Sequence, residues 1–280
     1  MGIDSHDIQS LKDEAECCPT ILVLDSGVGG LSVCQSVLRL MPQVRLVYVA
    51  DDAYFPYGTR PSTELTERLV QLTERLLSLH RPALVVLACN TVSTLLLPTL
   101  RARFDVPFVG VVPAIKPASE LSKTRVIGLL ATPATVERPY TDELIRNFAV
   151  DCKVLKLGSR ELVLQAERYL SGQEVLLADL AHCVAPFKED SRLDVIVLGC
   201  THFPLLRSQL EALLPGLVLI DSGAAIARRV QHLLGVIPDS SGTNGAPHLI
   251  YFTKDVPQNK GFSDHLEALG ICRHELRLLV

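Results

Sequence analysis

The 280-residue chain lacks long apolar runs and has no segment that reads as a secretory leader. A membrane helix needs about 18 or more mainly apolar residues in succession, whereas the longest runs here, such as Ala83–Cys89, are only as long as a strand. Residues 1–19 are polar and mostly acidic, without the positive start and apolar core of a signal peptide. We therefore expect a cytoplasmic protein without a membrane segment.

An excess of basic residues is also missing. The 27 Lys and Arg residues against 31 Asp and Glu residues give a net charge of −4, which disfavours a nucleic-acid surface because such surfaces are usually basic. The 48% of hydrophobic residues is typical of an ordinary globular protein with a sizeable core. The length is sufficient for two modest domains.

Cysteine is plentiful by contrast. In a reducing compartment free thiols are the default, and most of them are expected to be small buried hydrophobic residues. A catalytic thiol must therefore be recognised by its context. The eight cysteines are at positions 17, 18, 34, 89, 152, 183, 200 and 272.

Short apolar runs alternate with amphipathic stretches along most of the chain. Ile21–Leu24 and Leu84–Ala88 are typical of buried strands, while the leucine spacing over 62–80 predicts a helix with one buried face. This alternation predicts an α/β protein built on parallel sheets.

Two pairs of strand ends resemble one another. Cys89 and Cys200 each follow an apolar run, and Asp25-Ser26-Gly27 is repeated as Asp221-Ser222-Gly223. We interpret these echoes as two similar α/β units that face each other, with chance similarity as the alternative. Ligands of open α/β sheets bind at the carboxyl ends of the strands, where these residues lie.

Cys89 and Cys200 each stand before a predicted helix, where the helix dipole is expected to stabilise a thiolate and lower the thiol pKa. A zinc site is a weaker alternative, because the paired spacing of structural sites is missing. Its ligands would be Cys200 and His202 with His182 and Cys183 upstream. A hydrolase with one cysteine and one histidine would leave the second thiol unexplained.

Two loops accompany the thiols. Asp25–Gly30 is not a dinucleotide fingerprint, since Ser32 stands where the third glycine is needed, but its backbone suits a carboxylate or another small anion. An ordinary βα turn is the alternative, and Asp25 itself could cap a helix or orient an acid/base group. Asp52–Gly58 is either a rigid polar loop at the same edge or a packed aromatic loop.

Six short motifs resemble, in order and spacing, the motif series of bacterial glutamate racemases over about residues 20–280. They are Asp25–Gly30, Phe55–Gly58, Cys89–Thr91, Gly110–Ala114, Gly199–Pro204 and Asp221–Ala224. The resemblance implies racemisation of L- and D-glutamate without cofactor or metal, supplying D-glutamate for peptidoglycan. It also implies two α/β domains, 20–112 with 222–280 and 113–221, with the active site at their interface and a polar extension over 1–19.

The same resemblance implies roles for individual residues. Cys89 would take the α-proton of D-glutamate with the help of Asp25, and Cys200 that of L-glutamate with the help of His202. Glu161 aligns with a family carboxylate near the second cysteine. Positions that hold substrate in the family are Asp25, Ser26, Pro56, Tyr57, Gly58, Cys89, Asn90, Thr91, Thr132, Thr135, Cys200, Thr201 and His202.

One segment departs from the family pattern. Pro133-Ala134 stands where the family usually has a residue followed by glycine. If that glycine has a positive φ, Ala134 would strain the turn, or the turn differs. The substrate roles of Thr132 and Thr135 depend on whether the turn keeps the family's conformation with strain or adopts a different one.

Other functions and partners stay open. A related racemase, such as an aspartate racemase, is the nearest alternative, and an amino-acid sensor or a regulatory binder is a more distant one. A pure binder needs neither the thiols nor the assistants Asp25 and His202. The extension could carry a regulatory site for a cell-wall precursor, as in the branch this sequence resembles, or be a disordered tail. A monomer and a homodimer are both compatible with the sequence.

Overall fold

A computed structural model describes residues 18–236, 247–257 and 259–279. Most of the predicted extension over 1–19 and of the predicted loop over 235–247 lies outside these residues. The strands in the described ranges are β1 Thr20–Asp25, β2 Arg45–Ala50, β3 Leu84–Leu87, β4 Phe108–Gly110, β5 Val126–Ala131, β6 Lys153–Gly158, β7 Val195–Leu198, β8 Val218–Ile220, β9 His248–Phe252 and β10 His274–Leu278.

Helices connect these strands. They are α1 Leu31–Leu40, α2 Ser62–His80, α3 Asn90–Arg103, α4 Ile115–Leu121, α5 Pro133–Val136, α6 Pro139–Phe148, α7 Glu161–Leu170, α8 Leu177–Val184, α9 Arg207–Leu213, α10 Gly223–Leu234 and α11 Lys260–Ala268. Short 3₁₀ turns cover Asp52–Tyr54, Tyr57–Thr59, Ala185–Lys188 and Phe203–Leu206. None of the helices in the described ranges combines the length and apolarity needed to cross a bilayer.

The strands form two separate parallel sheets. The first has the order β10-β9-β2-β1-β3-β4 and the second the order β6-β5-β7-β8. Every strand pairing in both sheets is parallel. The predicted fold class, an α/β protein with two open parallel sheets, is confirmed.

Each sheet is buried on both faces. Ile21 and Val23 of β1 pack into one apolar cluster, while Leu22 and Leu24 pack into another on the opposite face. The reason is the two-residue period of a strand, which sends successive side chains to opposite faces. Parallel sheets with helices on both sides need such unbroken apolar strands, which is the pattern seen in the sequence.

The chain crosses between the two sheets twice. It leaves the first sheet after β4 and returns after β8, so the strands of the second sheet all lie within the predicted second domain; the boundary residues themselves remain a prediction. Ser222 Oγ donates a hydrogen bond to the Val112 carbonyl and so ties the two crossings together. A second tie links the halves at the site, where Ser32 Oγ donates to the Thr201 carbonyl at 2.8 Å.

Candidate active site

A cavity of about 230 Å³ lies where the carboxyl ends of the two sheets meet. Of the fourteen residues predicted to form the site, thirteen line it; Glu161 does not. The further lining residues are Phe55, Thr59, Pro133, Ala134, Arg160, Val163, Leu164 and Gly199. The structure thus gathers residues from six separated segments of the chain into one pocket.

The two thiols reach this cavity from different sheets. Cys89 lies between β3 and α3, at the end of a strand in the first sheet. Cys200 follows β7, a strand in the second sheet. A molecule held in the cavity therefore has one thiol supplied by each half of the protein.

Burial changes the expected acidity of Cys89. It raises the pKa of this thiol above its ordinary range, and the nearby Asp25 carboxylate raises it further. The backbone N–H groups of Val92 and Thr91 act in the opposite direction but do not compensate. The expectation of a lowered pKa at Cys89 is wrong, because desolvation outweighs the helix start, and Cys89 rests as a thiol that holds a proton.

Asp25 stands at the end of β1 and organises the loop after it. Its carboxylate accepts hydrogen bonds from the backbone N–H groups of Ser26 at 2.7 Å and Gly30 at 2.6 Å. Burial raises its pKa to about 6, although the charge of His202 and the two N–H groups oppose the shift. Asp25 is therefore a buried carboxylate that can exchange a proton near neutral pH.

His202 bridges Cys200 and a carboxylate that the sequence analysis missed. Its Nδ1 lies 3.7 Å from Cys200 Sγ, and its Nε2 lies 2.7 Å from Glu167 Oε1. Burial lowers the histidine pKa, but the hydrogen bonds to Cys200 and Glu167 outweigh it and raise the pKa well above its usual range. The same Glu167 oxygen accepts from the backbone N–H of Val28 at 3.0 Å, which links α7 to the first sheet.

Glu161 lies elsewhere. It is exposed in the first turn of α7, and its carboxylate accepts from Gln165 Nε2 at 2.8 Å. The placement of Glu161 beside the second cysteine is corrected in favour of Glu167, six residues further along the same helix. The helical periodicity could have indicated Glu167, because it borders the buried face of the helix that contains Val163 and Ala166. Glu161 lies on the opposite, exposed face.

The loop that holds Tyr57 is fixed by a buried carboxylate. Asp51 accepts hydrogen bonds from Tyr57 Oη at 2.9 Å, from Thr253 Oγ1 at 2.8 Å and from Arg68 at 3.1 and 2.6 Å. The Tyr57 hydroxyl is thus occupied by Asp51, and burial together with that carboxylate raises its pKa well above normal. This arrangement anchors the loop from behind the cavity.

The unusual Pro133-Ala134 segment forms a regular turn of helix. Ala134 is not among the described non-glycine residues with positive φ, so it carries no such strain. The Thr132 side chain caps the turn by accepting from Thr135 N at 3.3 Å, and the two threonine hydroxyls are 2.9 Å apart. Proline is well suited to the first turn of a helix. The turn needs no glycine and still places both threonines on the cavity wall.

Asn90 offers an unused acceptor. Its side chain is buried on the cavity wall, and among the described residues its Oδ1 has no hydrogen-bond partner. Buried polar atoms without partners are rare and costly, which makes this oxygen available to a ligand donor.

The other cysteines show no covalent pairing. None of the seven cysteines in the described ranges forms a disulfide bond. Within those ranges no three His, Cys, Asp or Glu side chains come together as a metal ion would require.

Comparisons with known proteins agree with this architecture. The family model described as Asp/Glu/Hydantoin racemase matches residues 21–230. Glutamate racemase of Pectobacterium atrosepticum is 45% identical over 259 residues, covering 92% of this chain and 90% of that protein. Glutamate racemase of Pectobacterium carotovorum is 48% identical over 264 residues, covering 90% of this chain and 92% of that protein.

A solved structure with the same fold carries ligands. The crystal structure of Escherichia coli glutamate racemase, in complex with L-glutamate and the activator UDP-MurNAc-Ala, has a TM-score of 0.85 and 42% identity. It covers 94% of this chain and 98% of that one. The RacE1 glutamate racemase isoform of Bacillus anthracis has a TM-score of 0.77 at 25% identity and covers 94% of this chain and 97% of that one.

Proposed function

The chain belongs to the Asp/Glu/hydantoin racemase family, and on that basis we propose that it interconverts L- and D-glutamate with Cys89 and Cys200 as its two acid/base groups. One observation carries the mechanism: two thiols from different sheets line a single cavity. Inversion at the α-carbon needs a proton removed on one face and another delivered on the opposite face, for which two such groups are suited.

In the direction from L- to D-glutamate, the Cys200 thiolate takes the α-proton and becomes a thiol. The Cys89 thiol gives its proton to the other face of the planar carbanion and becomes a thiolate. The reverse direction exchanges these roles. The raised pKa of Cys89 keeps this donor protonated, and Asp25, with a pKa of about 6, is the neighbouring group that can take up and return its proton.

Binding of the substrate uses the polar wall of the cavity. The buried Asn90 Oδ1 accepts a hydrogen bond from the α-ammonium group. The hydroxyl groups of Ser26, Thr91, Thr132, Thr135 and Thr201 are candidates to meet the carboxylates, together with backbone N–H groups at the start of α3. A volume of about 230 Å³ suits one small metabolite.

The physiological role follows from the same likeness. We propose that the product D-glutamate enters peptidoglycan and that a cell-wall precursor regulates the enzyme, as the activator named in the Escherichia coli complex suggests. The predicted division into domains, 20–112 with 222–280 and 113–221, is part of this proposal, because it places the active site at the interface of the two units.

The test is α-deuterium exchange in heavy water with L- and D-glutamate, and with L- and D-aspartate in parallel. Exchange and racemisation of glutamate alone are expected, whereas a preference for aspartate would assign the related activity. An amino-acid sensor would bind without exchange. Pyridoxal phosphate and EDTA are expected to change nothing.

Single thiol variants complete the test. Cys89→Ser and Cys200→Ser are each expected to lose racemisation, because one base cannot finish the cycle. Cys272→Ser changes an exposed cysteine and serves as the matched control. Full activity in either active-site variant would refute the two-thiol mechanism.

A further inference from the structure

The substrate cavity carries a single permanent positive charge. Arg160 is the one Lys or Arg side chain among the described residues that line it. This arginine stands on the short loop between β6 and α7, so it reaches the cavity from the half of the protein that holds the second sheet. A guanidinium keeps its charge throughout the physiological pH range. The cavity therefore offers a fixed cation to an anionic ligand.

This guanidinium has no partner in the protein. Within the described ranges the Arg160 side chain makes no hydrogen bond or ion pair, and it does not cap α7. The neighbouring Glu161 carboxylate instead accepts from Gln165 Nε2 at 2.8 Å. Lys156 on β6, by contrast, is paired with Asp142. Arg160 is thus available to bind a carboxylate that a ligand brings.

Burial divides the cavity into a deep end and a mouth. At the deep end Asp25 is 1% exposed, His202 is 3% exposed and Asn90 is 6% exposed. At the mouth Leu164 is 43% exposed, and Arg160 is exposed as well. The carbon that reacts must lie at the deep end, among the groups that exchange its proton. A substituent that extends from this carbon toward solvent therefore meets the wall that carries Arg160.

The side chain of glutamate is such a substituent, with two methylene groups and a terminal carboxylate. When Asn90 Oδ1 accepts from the α-ammonium group, as proposed above, the side chain is the part of the substrate directed toward the mouth. Val163 and Leu164 line the cavity in the first turn of α7 and offer an apolar surface to the methylene groups. Next to them, the Arg160 guanidinium presents its donors in a planar fork that matches a carboxylate.

We propose that Arg160 binds the side-chain carboxylate of glutamate at the mouth of the cavity and so determines the preference for a dicarboxylate substrate. The proposal rests on the proposed racemisation. Arg160 contacts the substrate but exchanges no proton with it, because a guanidinium does not lose its proton in this pH range. The hydroxyl and backbone N–H donors of the deep end are then left for the α-carboxylate.

The contact has a definite kinetic signature. The side-chain carboxylate keeps its charge throughout the reaction, so Arg160 binds the ground state and the transition state equally well. Loss of such uniform binding raises KM and leaves kcat unchanged. Because the two enantiomers have equal free energies, kcat/KM must fall by the same factor in both directions.

Arg160→Gln removes the charge and keeps much of the length of the side chain. We expect KM for L- and D-glutamate to rise by about 10-fold, the lower end of what a hydrogen bond to a charged group contributes. Arg160→Lys keeps the charge without the planar fork and should give a KM between the two. Arg168→Gln removes the same charge from an exposed position on the same helix, outside the described lining of the cavity, and should keep the original KM.

Salt provides a readout that a purely structural role would not move. Between about 0.01 and 1 M ionic strength the Debye length falls from about 30 to about 3 Å, which screens an exposed charge pair. KM should therefore rise with salt in the unaltered protein and in Arg168→Gln, and less steeply in Arg160→Gln.

The outcomes separate this role from the function. An unchanged KM in Arg160→Gln, a loss confined to kcat, or a salt dependence equal to that of the unaltered protein would overturn the role of Arg160 and leave racemisation intact. Absence of racemisation and α-exchange in the unaltered protein would instead remove the proposed function. If Arg160→Gln does not fold, Arg160→Lys decides the question, since a KM equal to that of the unaltered protein would exclude recognition by the fork.

Discussion

A methyl group added at Gly29 is expected to displace His202 and slow the enzyme. The Cβ of an alanine there would lie 2.3 Å from His202 Nδ1 and 2.6 Å from its Cε1, about 1 Å closer than ordinary van der Waals contact. The ring stands between Cys200 and Glu167, so it cannot withdraw by that amount without weakening one of these contacts. A shift of about 1 Å in a catalytic group can cost about 100-fold in rate, which equals about 2.7 kcal/mol in the barrier.

The assay measures kcat/KM of Gly29→Ala with L-glutamate and with D-glutamate as substrate, and circular dichroism monitors the conversion. The two enantiomers have equal free energies, so kcat/KM must fall by the same factor in both directions. Crowding in a packed region costs about 1–3 kcal/mol of folding stability, which thermal unfolding will report. Arg39→Ala, an exposed change on α1, is the control. A folded Gly29→Ala protein with unchanged kcat/KM would refute the inferred position of His202.

Three further predictions concern the carboxylates and the unused acceptor. Arg68→Ala leaves the buried Asp51 without its ion pair and should lower the free energy of unfolding by about 3 kcal/mol. Arg103→Ala breaks an exposed ion pair and should lower it by less than about 1 kcal/mol. Equal midpoints of urea unfolding for the two variants would contradict this prediction. Because the pKa of Asp25 is raised from 3.8 to about 6 on folding, the folded protein binds this proton more tightly than the unfolded chain. The free energy of unfolding therefore falls as the pH rises from 4 to 7, and it should fall by about 3 kcal/mol more in the unaltered protein than in Asp25→Asn. Parallel pH profiles of the two proteins in urea denaturation would refute this prediction. Asn90→Ala should lower kcat/KM by about 10- to 100-fold, the worth of a hydrogen bond to a charged group, with little loss of thermal stability; unchanged kinetics would place the ammonium group elsewhere.

The sequence predicted the parts of this molecule that depend on local pattern. Apolar strands alternating with amphipathic helices led to the two parallel sheets, since both faces of such a sheet must be covered. The position of Cys89 and Cys200 after such strands put each thiol at the carboxyl end of its own sheet. That these two ends face each other was implied by the echo between the strand ends and by the resemblance to the racemase family.

The environment of each group was harder to predict. The helix start after Cys89 was visible in the sequence, but the desolvation that raises the pKa of its thiol depends on how the folded chain packs around it. The choice between Glu161 and Glu167 depends on the rotation of α7 against the loop that carries His202. The six residues between them advance about 9 Å along the helix, so motif order could not decide which carboxylate meets the imidazole.

The Pro133 turn has a consequence for the thermodynamics of ligand binding. A glycine would leave this wall of the cavity with many accessible backbone conformations, and a ligand would have to select one of them on binding. Proline fixes φ at the first position of the turn, and the Thr132 cap fixes its entry. The hydroxyl groups of Thr132 and Thr135 are then oriented before any ligand arrives, 2.9 Å apart. The entropy of ordering this wall is lost during folding and not again at each turnover.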